Sequence, residues 1–211
     1  MPDWDDIFSE KGKVFTEPHQ DMERIANLFE EKGVKKILDI GSGTGRHLLY
    51  FAKKGFDVYG MDASPKGISM AKRWLLEENV KAEIILHRME EKFPYEDNFF
   101  EAVISIQVIH HNKMKDILIT VSEIERVLKK KGIIFITFPR IGNSSGRDIG
   151  REDWKLVEIE KNTFIPHAGP EKGLPHHFFT IEEIHEVFSS FNILEIYDDR
   201  ERHRAILGIK K

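Results

Sequence analysis

Short apolar runs alternate with amphipathic stretches over the first 140 positions. Val34–Ile40 is compact and β-branched, which predicts a strand, and Leu48–Lys54 predicts a short helix ending before Gly55. Phe56–Met61, Ala82–Leu86, Ala102–Ile106 and Ile133–Phe138 read as further strands. Ser64-Pro65 carries a cap residue followed by proline at the first helical position, and predicts a helix to about Asn79. Ile117–Leu128 is a second long helical stretch; Lys129-Lys130-Lys131 and Gly132 read as its basic end and its stop. Met22, Ile25, Leu28 and Phe29 have helical spacing and read as core packing. Strands alternating with helices predict parallel pairing, hence an α/β fold with a Rossmann-like, doubly wound sheet and helices on both faces.

The pattern changes after Pro139. Ile141–Gly146 has loop composition, and the stretch to Phe179 holds Pro166, Pro170 and Pro175. So long a loop within a compact domain points to function. Thr180-Ile181-Glu182-Glu183 has the form of a capping box opening another helix. Ile193–Tyr197 and Ala205–Ile209 predict an antiparallel hairpin across the charged Asp198–Arg204.

Composition narrows the chemistry. The 211 residues fit one domain. The net charge of −4 gives no footprint for a phosphate backbone, so a nucleic-acid partner is disfavoured. Cysteine is absent, which excludes disulfides, cysteine-ligated zinc and a thiol nucleophile. Met1–Asp6 is acidic and lacks the apolar segment of a signal peptide, and no apolar run approaches the roughly 20 residues of a membrane span. A cytoplasmic protein with no membrane partner is the expectation; oligomeric state is unreadable.

The sharpest motif is Asp39-Ile40-Gly41-Ser42-Gly43-Thr44-Gly45, between a predicted strand and a predicted helix. Glycines permit a tight turn and close approach of a ligand, and the helix start offers free N–H groups. The third glycine comes one position earlier than in the dinucleotide fingerprint, and Arg46 stands where that fingerprint has glycine. Asp39, just before the turn, suits an ammonium group better than a pyrophosphate. Asp62 ends the second strand, where a carboxylate can accept both hydroxyls of a ribose.

In this order, Leu38–Gly45, Tyr59-Gly60-Met61-Asp62-Ala63-Ser64 and Phe93–Val103 resemble the motifs of the class I S-adenosylmethionine-dependent methyltransferases. Arg46-His47 and the helix after it are similar to the tellurite-resistance-type branch. The resemblance implies a seven-stranded, mostly parallel sheet with an antiparallel last strand, spanning a single domain over 1–211. Segment 1–30 would be a cap, 34–140 the cofactor-binding core, 141–179 an acceptor-side loop insertion, and 180–211 a C-terminal helix and hairpin. It implies S-adenosyl-L-methionine as cofactor and S-adenosyl-L-homocysteine as product. Asp39, Gly41, Ser42 and Gly43 would hold the methionyl part, with Arg46 reaching its carboxylate. Asp62 would take the ribose, Ala63, Met89 and Glu90 would border the adenine, and Gln107 and Val108 would lie near the sulfonium. The chain departs from the family pattern at His87-Arg88-Met89-Glu90, where many members carry aspartate, and at Glu101.

Methyl transfer is an in-line displacement that needs a base only if the acceptor arrives protonated. His110, in His110-His111 after the fourth strand, and His177, in His176-His177 of the long loop, are the candidate catalytic residues. No histidine pair has a convincing carboxylate partner in sequence, so no metal is expected. Trp4, Phe8, Phe15, Trp154, Phe164, Phe178 and Phe179 lie in the flanking segments and suit either an apolar lid or a secondary core. The leading expectation is methylation of an O, N or S atom of a small-molecule acceptor. Alternatives are an RNA or other macromolecule methyltransferase, an NAD(P)-dependent oxidoreductase, and a cofactor-binding regulator without catalysis.

Overall fold

The computed structural model describes residues 4–13, 15–140, 154–200 and 203–211. The β-branched runs form the strands they predict: β1 (Lys36–Ile40), β2 (Asp57–Asp62), β3 (Glu83–Leu86), β4 (Phe100–Ile106) and β5 (Leu128–Pro139). Two antiparallel strands complete the sheet, β9 (Phe191–Asp198) and β10 (His203–Lys210). The sheet order is β3-β2-β1-β4-β5-β10-β9. Neighbours from β3 to β5 are parallel, as a doubly wound sheet requires.

Six helices lie among the described residues: α1 (Trp4–Lys11), α2 (Met22–Glu31), α3 (Arg46–Lys53), α4 (Pro65–Glu77), α5 (Met114–Val127) and α6 (Ile181–Val187). None is long and apolar enough to cross a membrane. Side chains alternate across each strand, so the sheet presents two apolar faces. Ile37, Val58, Ala102, Ile104 and Phe135 pack with Met22, Ile25 and Phe29 of α2, Leu48 and Phe51 of α3, and Ile68 and Leu75 of α4. Leu38, Met61, Val103, Ile134 and Ile136 pack on the other face with Ile117, Val121 and Ile124 of α5 and Ile184 of α6.

Local signals act where they stand. The Ser64 hydroxyl accepts the Gly67 N–H at 2.9 Å at the start of α4, with Pro65 at the first helical position. Thr180 and Glu183 form the reciprocal capping box of α6.

Three expectations change. The three lysines do not end a helix. α5 stops at Val127, and Lys129–Lys131 belong to the solvent-exposed start of β5, where Lys129 pairs with Glu101. The segment after Pro139 is not loop throughout. β6 (Leu156–Glu160), β7 (Thr163–Pro166) and β8 (His176–His177) form a small antiparallel sheet. Asn162, at φ 61°, makes the turn between β6 and β7. Segment 1–30 contains a second helix, α1, ahead of α2. The loop expected at 141–146 lies outside the described residues.

Candidate active site

The order of strands reverses beside β1, with β2 and β3 on one side and β4 and β5 on the other. Ligands of doubly wound sheets bind at that reversal, beyond the carboxyl ends of the strands. Two connections meet there: the glycine loop after β1 and the turn after β4.

The loop is shaped by its neighbours. The N–H groups of Gly41 and Ser42 both donate to the Met61 carbonyl, at 2.8 and 3.1 Å, which folds the loop against the end of β2. Gly41 has φ +70°, and a Cβ there would lie 2.3 Å from Cγ1 of Val108. Glycine is therefore required twice over, by the backbone and by the side chain from the β4 turn. Gly45, at φ +91°, starts α3, and a Cβ there would lie 2.8 Å from that of Ala71 in α4.

Two carboxylates flank the loop. Asp39 is 1% exposed, and its Oδ2 is buried with no hydrogen-bond partner among the described residues. Burial pushes its carboxyl up to about 8; Arg46 opposes the shift and Asp62 adds to it. Such an orphaned acid costs the fold free energy, and so marks a place built for an absent cation. Asp62 is better provided. Its Oδ2 accepts the Gly43 N–H at 2.7 Å and its Oδ1 the Ser64 N–H at 2.8 Å. Burial still raises its pKa, and those backbone donors work against the shift. The Gly43 bond ties the loop after β1 to the end of β2, the Ser64 bond turns the chain after β2, and each oxygen retains acceptor capacity.

The remaining expected residues spread around this centre. The Ser42 hydroxyl is buried without a hydrogen-bond partner among the described residues, and Ala63 is exposed at the rim. Arg46 donates from Nη1 to the Glu17 carbonyl at 3.0 Å with its guanidinium over Phe15, and its charge still reaches Asp39. Met89 is half-buried, and its carbonyl accepts the Thr120 hydroxyl at 2.9 Å. Glu90 accepts from Nε of Arg88 at 2.5 Å. Gln107 takes φ +62°, rare for a residue with a side chain, and both its N–H and its amide donate to Oγ1 of Thr137 at 3.1 Å. That strained turn aims Val108 at the glycine loop.

The histidines separate. His110 is buried, and its carbonyl accepts the His177 N–H at 2.8 Å, which pins β8 to the β4 turn. Burial, with the neighbouring imidazoles, holds His110 well below the usual histidine range. The His177 side chain is 0% exposed, with Nδ1 2.8 Å from the Thr163 hydroxyl and its ring edge-on to Phe179. It is enclosed beneath the small sheet, and burial lowers its pKa also. Its neighbour His176 instead meets His110 and His111, with ring centroids 5.7 and 4.6 Å away.

Sequence reasoning assigned Trp4 and Phe8 to a lid or a secondary core but missed the helix, α1, that carries them over the glycine loop. Phe8, 4% exposed, sits over Gly43 and Gly67, and the Trp4 ring lies 5.5 Å from that of His111. Asp5 anchors the helix by accepting from the Ser64 hydroxyl at 2.6 Å and the Lys66 N–H at 2.7 Å. The Asp-x-x-Phe spacing was the available signal.

A glycine turn at a strand-order reversal, flanked by an orphaned acid and a second acid on the adjoining strand, defines a Rossmann-like domain for a nucleoside cofactor bearing a positive charge. Residues 38–136 match the methyltransferase domain family. Those residues carry a methyltransferase domain similar to the class I S-adenosylmethionine-dependent methyltransferases, and S-adenosyl-L-methionine is the cofactor that this likeness supports. An uncharacterized methyltransferase of Synechocystis is 26% identical over 155 residues, spanning 69% of this chain and 70% of that protein. The chain spans about half the length of other curated relatives, as with the 46% of a Bacillus subtilis methyltransferase that is 28% identical. A Pyrococcus horikoshii protein shares the fold at a TM-score of 0.76 and 19% identity, covering 97% of this chain and 99% of its own. TehB from Haemophilus influenzae shares it at 0.69 and 18%, covering 99% of this chain and 67% of its own.

Proposed function

We propose that the protein methylates an O, N or S atom of a small-molecule acceptor. The observation that carries the cofactor's orientation is the unpartnered Oδ2 of Asp39, enclosed beside the glycine loop. It fits the methionyl ammonium, with the Gly41 and Ser42 backbone beside it. Asp62 would hold the ribose through its remaining acceptor capacity. Ala63, Met89 and Glu90 would border the adenine, and Val108 and Gln107 the sulfonium. Arg46 would meet the methionyl carboxylate only after leaving the Glu17 carbonyl.

The cofactor supplies a methyl group already activated on sulfur. The chain's part is alignment and exclusion of water. α1 roofs the loop through Phe8, and the β6–β8 sheet closes the far side of the β4 turn by the His177–His110 main-chain bond. Walls this close support an acceptor of small size. His110 stands at the acceptor end, whereas the enclosed His177 is given a structural role. An acceptor that arrives deprotonated needs no base.

The RNA reading retains one support. An 18S rRNA (guanine-N(7))-methyltransferase of Schizosaccharomyces pombe is 34% identical over 87 residues, although the match covers 31% of that protein. Both readings are tested by incubating the chain with methyl-labelled cofactor and either the ultrafiltrate or the RNA of a cell extract. Label should enter the ultrafiltrate compounds. Label confined to RNA, with binding that weakens steeply in salt, would overturn the small-molecule reading.

A further inference from the structure

The turn after β4 and the short strand β8 come from segments 65 residues apart, and between them they gather three imidazoles. One ligand atom from each of His110, His111 and His176 lies within 4.8 Å of the others. We propose that these three histidines form a binding site for a divalent transition-metal ion of the zinc type, at the acceptor end of the cleft.

Several features support a built site. His110 is 3% exposed, and its Nδ1 is buried without a hydrogen-bond partner among the described residues. A buried ring nitrogen with no partner is costly unless something else fills the space. The rings crowd together, with centroids 3.9 Å apart for His110 and His111. Three imidazolium ions at such range would repel, whereas three neutral imidazoles can share one dication. The site is also braced. Nδ1 of His176 lies 2.9 Å from the Leu174 carbonyl, and Nε2 lies 2.7 Å from Oε2 of Glu171. The Nδ1 contact with the Leu174 carbonyl is the orienting arrangement metal-bound histidines use, and it leaves Nε2 to face the ion. The His177 N–H to His110 carbonyl bond fixes one segment against the other before any ion arrives.

The donor set selects the ion. Three imidazoles with no thiolate suit zinc or a similar borderline dication, and leave a position open for an exogenous ligand. The ion would take up Nε2 of His176 in place of that atom's contact with Glu171, whose carboxylate would then lie beside the ion. The open position would favour an acceptor with an anionic oxygen or nitrogen. With the ion bound, His110 is a ligand and takes no proton from the acceptor.

The two histidine pairs stand out in the sequence, but nothing there brings them together, and their carboxylate neighbour, Glu171, belongs to the loop-like segment. The site stands without the methyltransferase reading, and its test uses no turnover. The tag-free full chain, stripped with a chelator, is titrated with Co2+ and followed by its visible ligand-field absorption. One equivalent should bind with the intense bands of low coordination number, and Zn2+ should displace it. His176→Gln and His111→Gln should weaken binding by at least about 100-fold, and Glu171→Gln by about 10- to 100-fold. His185→Gln, at an exposed histidine, should match the parent. Melting curves identify any variant that fails to fold, in which case Glu171→Gln carries the test. Absence of saturable one-to-one binding by the parent would overturn the proposal. So would equal binding by a folded His176→Gln or Glu171→Gln variant.

Discussion

Replacing Asp39 by asparagine separates a residue kept for binding from one kept for folding. In the ligand-free fold the carboxyl is enclosed and pushed up to about 8 from its ordinary 3.8, chiefly by burial. At pH 7 it is about ten to one protonated. Capturing an ammonium requires the ionised form, so binding at pH 7 carries an ionisation cost of about 1.4 kcal/mol and releases about 0.9 of a proton. Affinity should rise about tenfold per pH unit up to 8 and then level off. Asp39→Asn should abolish that slope and, at pH 8.5, weaken binding by the 1.5–3 kcal/mol or so of a charged hydrogen bond, roughly 10- to 150-fold. The sign for stability is opposite. The folded pKa lies above the unfolded one, so the native state holds the extra proton from about pH 4 to pH 8. The associated stability is complete below pH 4, declines across that window and is gone above pH 8. The ligand-free variant should therefore melt higher than the parent at pH 8.5, with the gap closing toward pH 4. Calorimetric titration of S-adenosylhomocysteine, in buffers of different ionisation heat, and ligand-free melting curves measure both. A pH-independent affinity that the variant shares, or a variant that melts lower at pH 8.5, would refute the placement of the ammonium.

Asp62→Ala should weaken cofactor binding by about 1–3 kcal/mol and also lower the melting temperature, since it orphans the Gly43 and Ser64 amides; unchanged titration isotherms would contradict it. Gly41→Ala forces a Cβ against Val108 and should abolish binding, whereas pairing it with Val108→Gly should relieve the side-chain clash but leave the φ strain of about 1–2 kcal/mol; full recovery of affinity would count against this account. His177→Ala should cost about 1–3 kcal/mol of stability in urea, because it removes one of the two partners of the buried Thr163 hydroxyl, the other being Glu160, and empties a packed site beside Phe179, while the cofactor dissociation constant stays within about twofold. Thr180→Ala removes half of a capping box and should cost about 1 kcal/mol in the same assay.

What the sequence made legible was local. Gly41 and Gly45 advertise a turn, Ser64-Pro65 and Thr180–Glu183 advertise helix starts, and β-branched runs advertise strands, because each signal acts within a few residues. Asp39 and Asp62 were found for the same reason, each closing a recognisable strand. What stayed hidden depends on pairing across distance. α1 is too short to show a periodicity, and its burial against the glycine loop is tertiary. Lys129–Lys131 read as a helix end because nothing nearby announces that Phe100 of β4 pairs with Leu128 across a register shift, which takes the lysines into β5. His176 and His177 illustrate the limit most simply. Adjacent residues on a strand face opposite sides, and only the register of β8 against β7 decides which one meets His110.

The Ser64 hydroxyl serves two masters: it accepts from Gly67 to begin α4 and donates to Asp5 to fasten the first helix. Release of α1 thus breaks the second bond and leaves the first, so the gate swings without melting its doorpost. Unlatching costs two hydrogen bonds and the exposure of Phe8, on the order of 4 kcal/mol, which leaves roughly one molecule in a thousand ajar at any instant. Were a nucleoside bound beneath α1, the strength of this latch would set how often its way out opens.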